Sequence, residues 1–300
     1  MNYFQAKQNI EERVFVDLLS DSGFKAVYAD PANKHLLINL LNNVLPDDVR
    51  VSDIVEYRDR EQQTDTIFSK KTILDLVCRD SAGNIFGIEV QKKVDKDFAK
   101  RCVYYASGQY HSQLSSGGRY SELHPVYELA FLEEKYPHRD ESEWDSEHIV
   151  SHYHLIEKRT GESLCSTIFI IFAELKRFNK SEKECETALD KLLYLFKNIG
   201  EMEDDENWNK DSFWQRFFRA CEIAAFDEKK RAQYEQDMYD ERRFQGQMAA
   251  SYKNGLEAGI AEGREEERLE MARKMLAEGI PVGVVVKCSG LSAEEISSLG

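Results

Sequence analysis

Two carboxylates carry the chemistry of the stretch ILDLVCRDSAGNIFGIEVQKK (residues 73–93): Asp75 and Glu89, one on each of two apolar runs joined by the turn signal DSAGN. A strand sends alternate side chains to opposite faces. Alternation places Leu74, Leu76 and Cys78 on one face of the first strand, and Ile73, Asp75, Val77 and Arg79 on the other. On the returning strand Phe86, Ile88 and Val90 share a face, opposite Ile85, Gly87, Glu89, Gln91 and Lys93. A five-residue turn centred on Ala82 pairs Asp75 with Glu89 and Ile73 with Gln91, so the two acids meet on one face. Like charges across a ladder repel, by about 0.8 kcal/mol at ~5 Å in water and roughly 3 kcal/mol in a cleft. A solvated hairpin tolerates that repulsion, and an ordinary pair of exposed acids is one reading. A cleft calls for a proton or a cation. Hard oxygen donors at this separation suit Mg²⁺ or Mn²⁺, which completes its shell with water and substrate phosphate. Gly87, beside Glu89, leaves room for a ligand.

The elements that must position this hairpin are legible around it. Phe15 to Val27 and Asp30 to Leu45 read as helices; in the second, Asp30 is the N-cap, Pro31 sits at N1, and Leu36, Leu37, Leu40, Leu41, Val44 and Leu45 recur at helical spacing before Pro46. Val51 to Tyr57 is strand-like and a polar loop follows to about Lys71. After the hairpin come a helix from about Asp97 to Leu114, the breaker SSGG, a core strand PVYELAFL (Pro125–Leu132), a charged loop, a strand-like segment from His148 to Ile156, and the buried-strand pattern LCSTIFIIF (Leu164–Phe172). This order predicts an α/β domain over residues 1–180.

Beyond it the pattern is helical only: an extension over 181–226, then a charged tail over 227–300. Gly255, Gly259 and Gly263 recur every fourth residue, a stripe that permits close packing yet lowers helix propensity by about 1 kcal/mol per glycine, and predicts a frayed, exposed helix. Gly279 closes one helix, Pro281 opens the next, Gly290 ends it, and Ser292 with Glu295 forms a capping box. These short helices have the outline of a helix-turn-helix. The last one, SAEEISSLG, is acidic and lacks arginine, which argues against it as a DNA-reading helix.

The 300 residues carry a net charge of -15, which at first disfavours a polyanionic partner. Of 40 Lys and Arg and 55 Asp and Glu, residues 1–125 hold 16 and 18, leaving 24 and 37 for the rest, so the excess acid lies C-terminally. Lys92, Lys93, Lys96, Lys100 and Arg101 form a local basic cluster, interrupted by Asp95 and Asp97; Lys92, Lys96, Lys100 and Arg101 suit nucleic-acid phosphate, although a solvated helix start has the same composition. Six cysteines without a CxxC pair suggest reduced thiols and no zinc site. No run is long enough to span a bilayer and the start, MNYFQAKQNIEERVF, lacks a signal pattern, so a soluble cytoplasmic protein is expected.

The Asp, Gly-containing turn and Glu-x-Gln pattern resembles the PD-(D/E)xK nuclease superfamily, and more closely its recombination-promoting nuclease/transposase family, whose members show Gln where Lys is usual. The likeness extends to SDSGFKAVYAD, LLINLLNNVL, IEVQKK, RCVYYASGQYHSQLSSGGRYSELHPVYELAFL and MARKMLAEGIPVGVVVKCSGLSAEEISSL, over most of residues 12–132 and 264–299. It implies a restriction-endonuclease-like core with a mixed central sheet flanked by helices, plus an all-helical C-terminal region. It implies Mg²⁺ (or Mn²⁺) held by Asp75, Glu89 and the Val90 carbonyl, with Gln91 in the place of the water-orienting Lys. An amide carries no charge, which shifts charge stabilisation to the metal, Lys92 or Lys93; by strand parity Lys93 shares the acidic face. Leu74 stands where the motif has Pro. Asp21 and Lys25 match the family's opening helix, as an i,i+4 pair or with Asp21 as an outer carboxylate. Arg101, Tyr105 and Gln109 lie on one helix face, Arg101 toward a phosphate and Tyr105 as support. The implied activity is metal-dependent DNA endonuclease action, in recombination or on foreign DNA, with self-association or regulation through the helical tail. The alternative is a catalytically weak DNA-binding or regulatory protein that retains the nuclease fold.

Overall fold

The computed structural model describes residues 13–58, 74–144, 148–165, 167–204, 208 and 211–299. The polar loop, the pairing of Ile73 with Gln91 and part of the acidic connector after residue 200 lie outside them. The alternating apolar runs form β1 (Ile54–Arg58), β2 (Leu76–Asp80), β3 (Ile85–Gln91), β4 (Val126–Leu132), β5 (Val150–Tyr153) and β6 (Ile168–Glu174). They build one sheet in the order β1-β2-β3-β4-β6-β5. The β1/β2, β2/β3 and β5/β6 pairs are antiparallel, and β3/β4 and β4/β6 are parallel. The sheet is therefore mixed, as expected.

The hairpin has the register that a turn centred on Ala82 requires: Leu76 faces Ile88, Val77 faces Gly87, Cys78 faces Phe86 and Arg79 faces Ile85. Asp80 fixes the turn, its Oδ1 accepting from the N–H groups of Ala82 (2.9 Å) and Asn84 (2.8 Å), while Gly83 takes φ +92°. Alternation fails at one position. Leu74 and Asp75 precede β2, and Leu74 packs with Val77 and Ile85 instead of with Leu76 and Cys78, because the pleat that alternates side chains starts only at Leu76.

The parallel step from β3 to β4 is made by a crossover helix, α3 (Phe98–His111). Its Phe98, Cys102 and Ala106 cover one face of the sheet, against Val77, Ile85, Val126, Ala130, Leu132 and Phe172. The opposite face, with Phe86, Ile88, Val90, Leu129 and Phe131, is covered by α1 (Asp21–Tyr28), α2 (Lys34–Val44), α4 (Ala188–Asn198) and α5 (Ser212–Cys221). Phe131 and Phe196 stack there at 4.6 Å. Helix α1 is shorter than the apolar pattern predicts. Ser20 caps it, its Oγ accepting from the Gly23 N–H at 3.0 Å. Phe15 instead bridges to Glu222, and the Val16 N–H donates to the Cys221 carbonyl at 3.0 Å. Asp30 and Pro31 open a single 3-10 turn ahead of α2.

The chain divides into two compact units, Met1–Met238 and Tyr239–Gly300. The division falls within a long helix, α6 (Glu228–Ala277), twelve residues beyond the 226/227 boundary drawn from sequence. Tyr234 and Met238 are buried in the first unit's core, and the Tyr234 hydroxyl accepts from the Asp17 N–H at 3.0 Å. The second unit contains the rest of α6, α7 (Val282–Ser289) and α8 (Ala293–Ser297), around a small core of Ala272, Val285, Leu291 and Ile296. Gly279 (φ +77°) and Gly290 (φ +71°) make its turns, and Ser292 and Glu295 form the capping box. Helix α6 runs unbroken through Gly255, Gly259 and Gly263, where an added Cβ would meet nothing within 4 Å. That stretch is exposed, as predicted, but not frayed. Cys78, Cys102, Cys185 and Cys221 are buried free thiols; Cys165 and Cys288 are exposed. Among the described residues no helix is long and apolar enough to cross a membrane.

Candidate active site

The site forms where β2 enters the sheet. Asp75 hydrogen-bonds the backbone of β3 at two points: its N–H donates to the Ile88 carbonyl at 3.1 Å, and its Oδ2 accepts from the Val90 N–H at 2.8 Å. That pins the carboxylate beside the signature strand with only 10% of its side chain exposed. Oδ1 lies 3.6 Å from Lys25 Nζ. Lys25 also pairs with Asp21 one turn earlier on α1, so the i,i+4 pair exists and its lysine reaches the site. Asp21 itself is about half exposed.

Glu89, on β3, has a side chain 9% exposed. Its Oε1 accepts from Arg101 Nη2 at 2.9 Å, and its Oε2 is buried with no hydrogen-bond partner. Burial raises its pKa, and the Arg101 guanidinium opposes that rise. Arg101 projects from α3 and also donates to Gln91 Oε1 (3.2 Å) and Asp95 Oδ2 (3.1 Å). Gln91 completes the arrangement by donating from Nε2 to the Lys93 carbonyl at 2.7 Å. Tyr105, one turn after Arg101, is partly buried, and its pKa is raised by burial and by Glu89.

A third carboxylate escaped the sequence reading. Glu128 lies on β4 beside Gly87 in the parallel register. It is fully buried, and neither carboxylate oxygen has a hydrogen-bond partner. Burial drives its pKa well above the ordinary value, with Glu89 and then Asp75 adding to the rise, so Glu128 lies within electrostatic reach of both predicted acids. The space over Gly87 belongs to this side chain: a Cβ there would meet Glu128 Oε2 at 2.2 Å. Gly87 thus admits a carboxylate from the neighbouring strand. The available signal was a lone acid inside PVYELAFL.

A family model described as PD-(D/E)XK nuclease family transposase matches residues 18–245. The chain belongs to this family. A second model, the C-terminal HTH domain of the Rpn/YhgA-like nuclease family, matches residues 265–300 and spans the short helices whose outline is that of a helix-turn-helix. No curated protein and no solved structure matches the chain.

Within this nuclease family frame, the donor set fits a hard divalent ion. Asp75 and Glu89 offer carboxylate oxygen, and Glu89 Oε2 is a buried acceptor lacking a donor, which a cation would satisfy. Among the described residues no three His, Cys, Asp or Glu side chains are grouped as a metal site. The predicted DNA-contacting cations are mostly engaged with acids. Lys92 donates to Asp17 Oδ2 (2.9 Å), Lys100 pairs with Asp97 (2.8 Å), and Arg101 turns inward to Glu89. Lys96 is exposed. Lys93 is exposed beyond the end of β3, where strand parity no longer directs its side chain.

Proposed function

We propose that the first unit is a divalent-metal-dependent DNA endonuclease, with Asp75, Glu89 and the Val90 carbonyl as the ion's ligands. The observation that carries this reading is the buried, donorless Glu89 Oε2, with Glu128 within electrostatic reach of both Glu89 and Asp75. A bound Mg²⁺ or Mn²⁺ supplies Lewis acidity toward a phosphodiester oxygen and a water acidic enough to attack at neutral pH. The chain's own residues do the rest. Asp75, tied to the β3 backbone, holds its carboxylate beside Val90. Arg101 brings to Gln91 the positive charge that the family's glutamine lacks, and the Gln91 amide offers both a donor and an acceptor for orienting a water. Lys25 reaches Asp75 from α1 and Tyr105 lies near Glu89 on α3, and Lys93 is available to a phosphate beyond the end of β3. DNA is the proposed partner of the C-terminal helices as well, with self-association through residues 239–300, where Phe244, Met248, Tyr252 and Leu256 are exposed.

A second reading has its own support. Glu89 and Gln91 already share Arg101, an arrangement equally suited to a nuclease fold that binds DNA and cuts weakly. Incubating the protein with supercoiled plasmid in Mg²⁺, Mn²⁺ or EDTA, beside Asp75→Ala, separates the two. Nicking that needs metal and disappears in the variant supports the enzyme; DNA binding without metal-dependent nicking supports the second reading.

A further inference from the structure

The DNA contacts anticipated after β3 are largely neutralised, which directs attention to cations elsewhere in the first unit. Lys25 belongs to the carboxylate site through Asp75 and also lines an open pocket of about 400 Å³ with Lys229 and Lys230. Lys230 lines this pocket and a second, of about 370 Å³, that holds Arg216, Arg219 and His35. The two pockets therefore link the acidic site to two arginines on α5 through shared lysines. Arg216, Arg219 and Lys229 are exposed and have no ion-pair or hydrogen-bond partner among the described residues. Lys230 Nζ is 3.3 Å from Asp30 Oδ2 and lies 4.6 Å over the Phe226 ring, which holds its ammonium where the two pockets meet. His35 has a buried Nε2 without a partner. Asp30, Asp227 and Asp237 interrupt the lining, so the surface is a track of separated positive points, not a uniform patch.

We infer that this track, from Lys25 through Lys229 and Lys230 to Arg219 and Arg216, carries the phosphate backbone of the DNA toward Asp75 and Glu89. The inference rests on the proposed nuclease reading and names the surface that reading lacks. A polyanion with regularly spaced charges matches separated cations better than a single small anion does; Arg216, Arg219 and Lys229 give up no ion pair on binding, whereas Lys25 and Lys230 would exchange theirs with Asp21, Asp75 and Asp30. In a chain of net charge -15 such a track also determines where a polyanion can approach.

The test is fluorescence anisotropy of a labelled DNA duplex in EDTA, so that neither metal nor cleavage enters the readout, titrated at several salt concentrations. The Arg216→Ala/Arg219→Ala double variant should bind more weakly on every duplex sequence, and its log–log salt slope should fall by about two. Arg216→Lys/Arg219→Lys should retain most of the binding. Lys158→Ala/Arg159→Ala removes the same charge from the exposed turn between β5 and β6 and should leave the slope unchanged. Equal losses in the two alanine pairs, an unchanged slope in the α5 pair, or no DNA binding by the wild-type chain would each overturn the track. Failure of the nuclease reading looks different: wild-type binding with the expected slopes, but no metal-dependent nicking.

Discussion

Two glutamates, Glu174 on β6 and Glu128 on adjacent β4, are both fully buried in the same sheet and could hardly differ more in company. Glu174 is saturated. Its Oε2 accepts from Arg177 Nε and from the Tyr136 N–H, both at 2.9 Å, and its Oε1 hydrogen-bonds His138 Nε2 at 2.8 Å. Arg177 in turn donates from Nη1 to the Trp144 carbonyl at 3.0 Å and pairs through Nη2 with Glu141 at 2.8 Å. Glu128 has no such partner, and the charges within its reach are the carboxylates of Glu89 and Asp75. A buried polar group without a partner costs stability, whereas a satisfied cluster holds a strand end in place. One acid is hydrogen-bonded at both oxygens, while the other has neither oxygen bonded and lies within electrostatic reach of Glu89 and Asp75.

The largest effect expected from that contrast is catalytic. Asp75→Ala and Glu89→Ala should each lower plasmid nicking by at least about 10²- to 10³-fold, whereas Glu174→Gln should alter nicking only as far as it alters the folded fraction. Comparable losses of specific activity in all three would break the comparison. On stability the order reverses. Glu174→Ala leaves Arg177 buried beside an empty acceptor and should cost about 3 to 5 kcal/mol in urea unfolding.

Glu128→Gln should act in the opposite direction and more weakly, stabilising the protein by about 1 to 3 kcal/mol near neutral pH through removal of the buried carboxylate's penalty. The sign of the pH dependence follows from the raised pKa of Glu128. The folded state retains a proton that the unfolded chain releases near the ordinary glutamate value. Stability in the wild type therefore falls as pH rises above that value toward the raised one, and this part of the slope should vanish in Glu128→Gln. Parallel stability profiles for the two proteins would show that Glu128 is satisfied after all. The smallest effect concerns Arg101, which occupies Glu89 as a competing cation: Arg101→Ala should bind Mn²⁺ several-fold more tightly in calorimetry while nicking more slowly.

Much of this arrangement was legible in the sequence. The six strands, the hairpin register around Ala82 and the capped ends of the C-terminal helices follow from local period and turn chemistry, which depend on residues close together in the chain. The approach of Asp75 to the β3 backbone next to Glu89 was legible for the same reason. Leu74 was assigned to the wrong face because alternation was extended past the strand's first residue. Glu128 was missed because its significance depends on a parallel pairing with β3 that α3 separates in sequence, and no local pattern reports which residue lies beside Gly87. The basic cluster after β3 illustrates the converse: Lys92 and Arg101 are adjacent to the acids in sequence and are neutralised by Asp17 and Glu89 in space. Arg216 and Arg219, more than a hundred residues away, come to line a pocket with His35 and Lys230 only through tertiary packing, which no local pattern reports.

Crystals soaked in Mn²⁺ and measured at the manganese absorption edge address the central claim without recourse to activity. The account predicts one anomalous peak bonded to a carboxylate oxygen of Asp75 and to Glu89 Oε2, with Arg101 withdrawn from Glu89. A Mn²⁺-soaked structure with no peak at these acids, or with a peak bonded to one of them alone while Arg101 remains on Glu89, would contradict it.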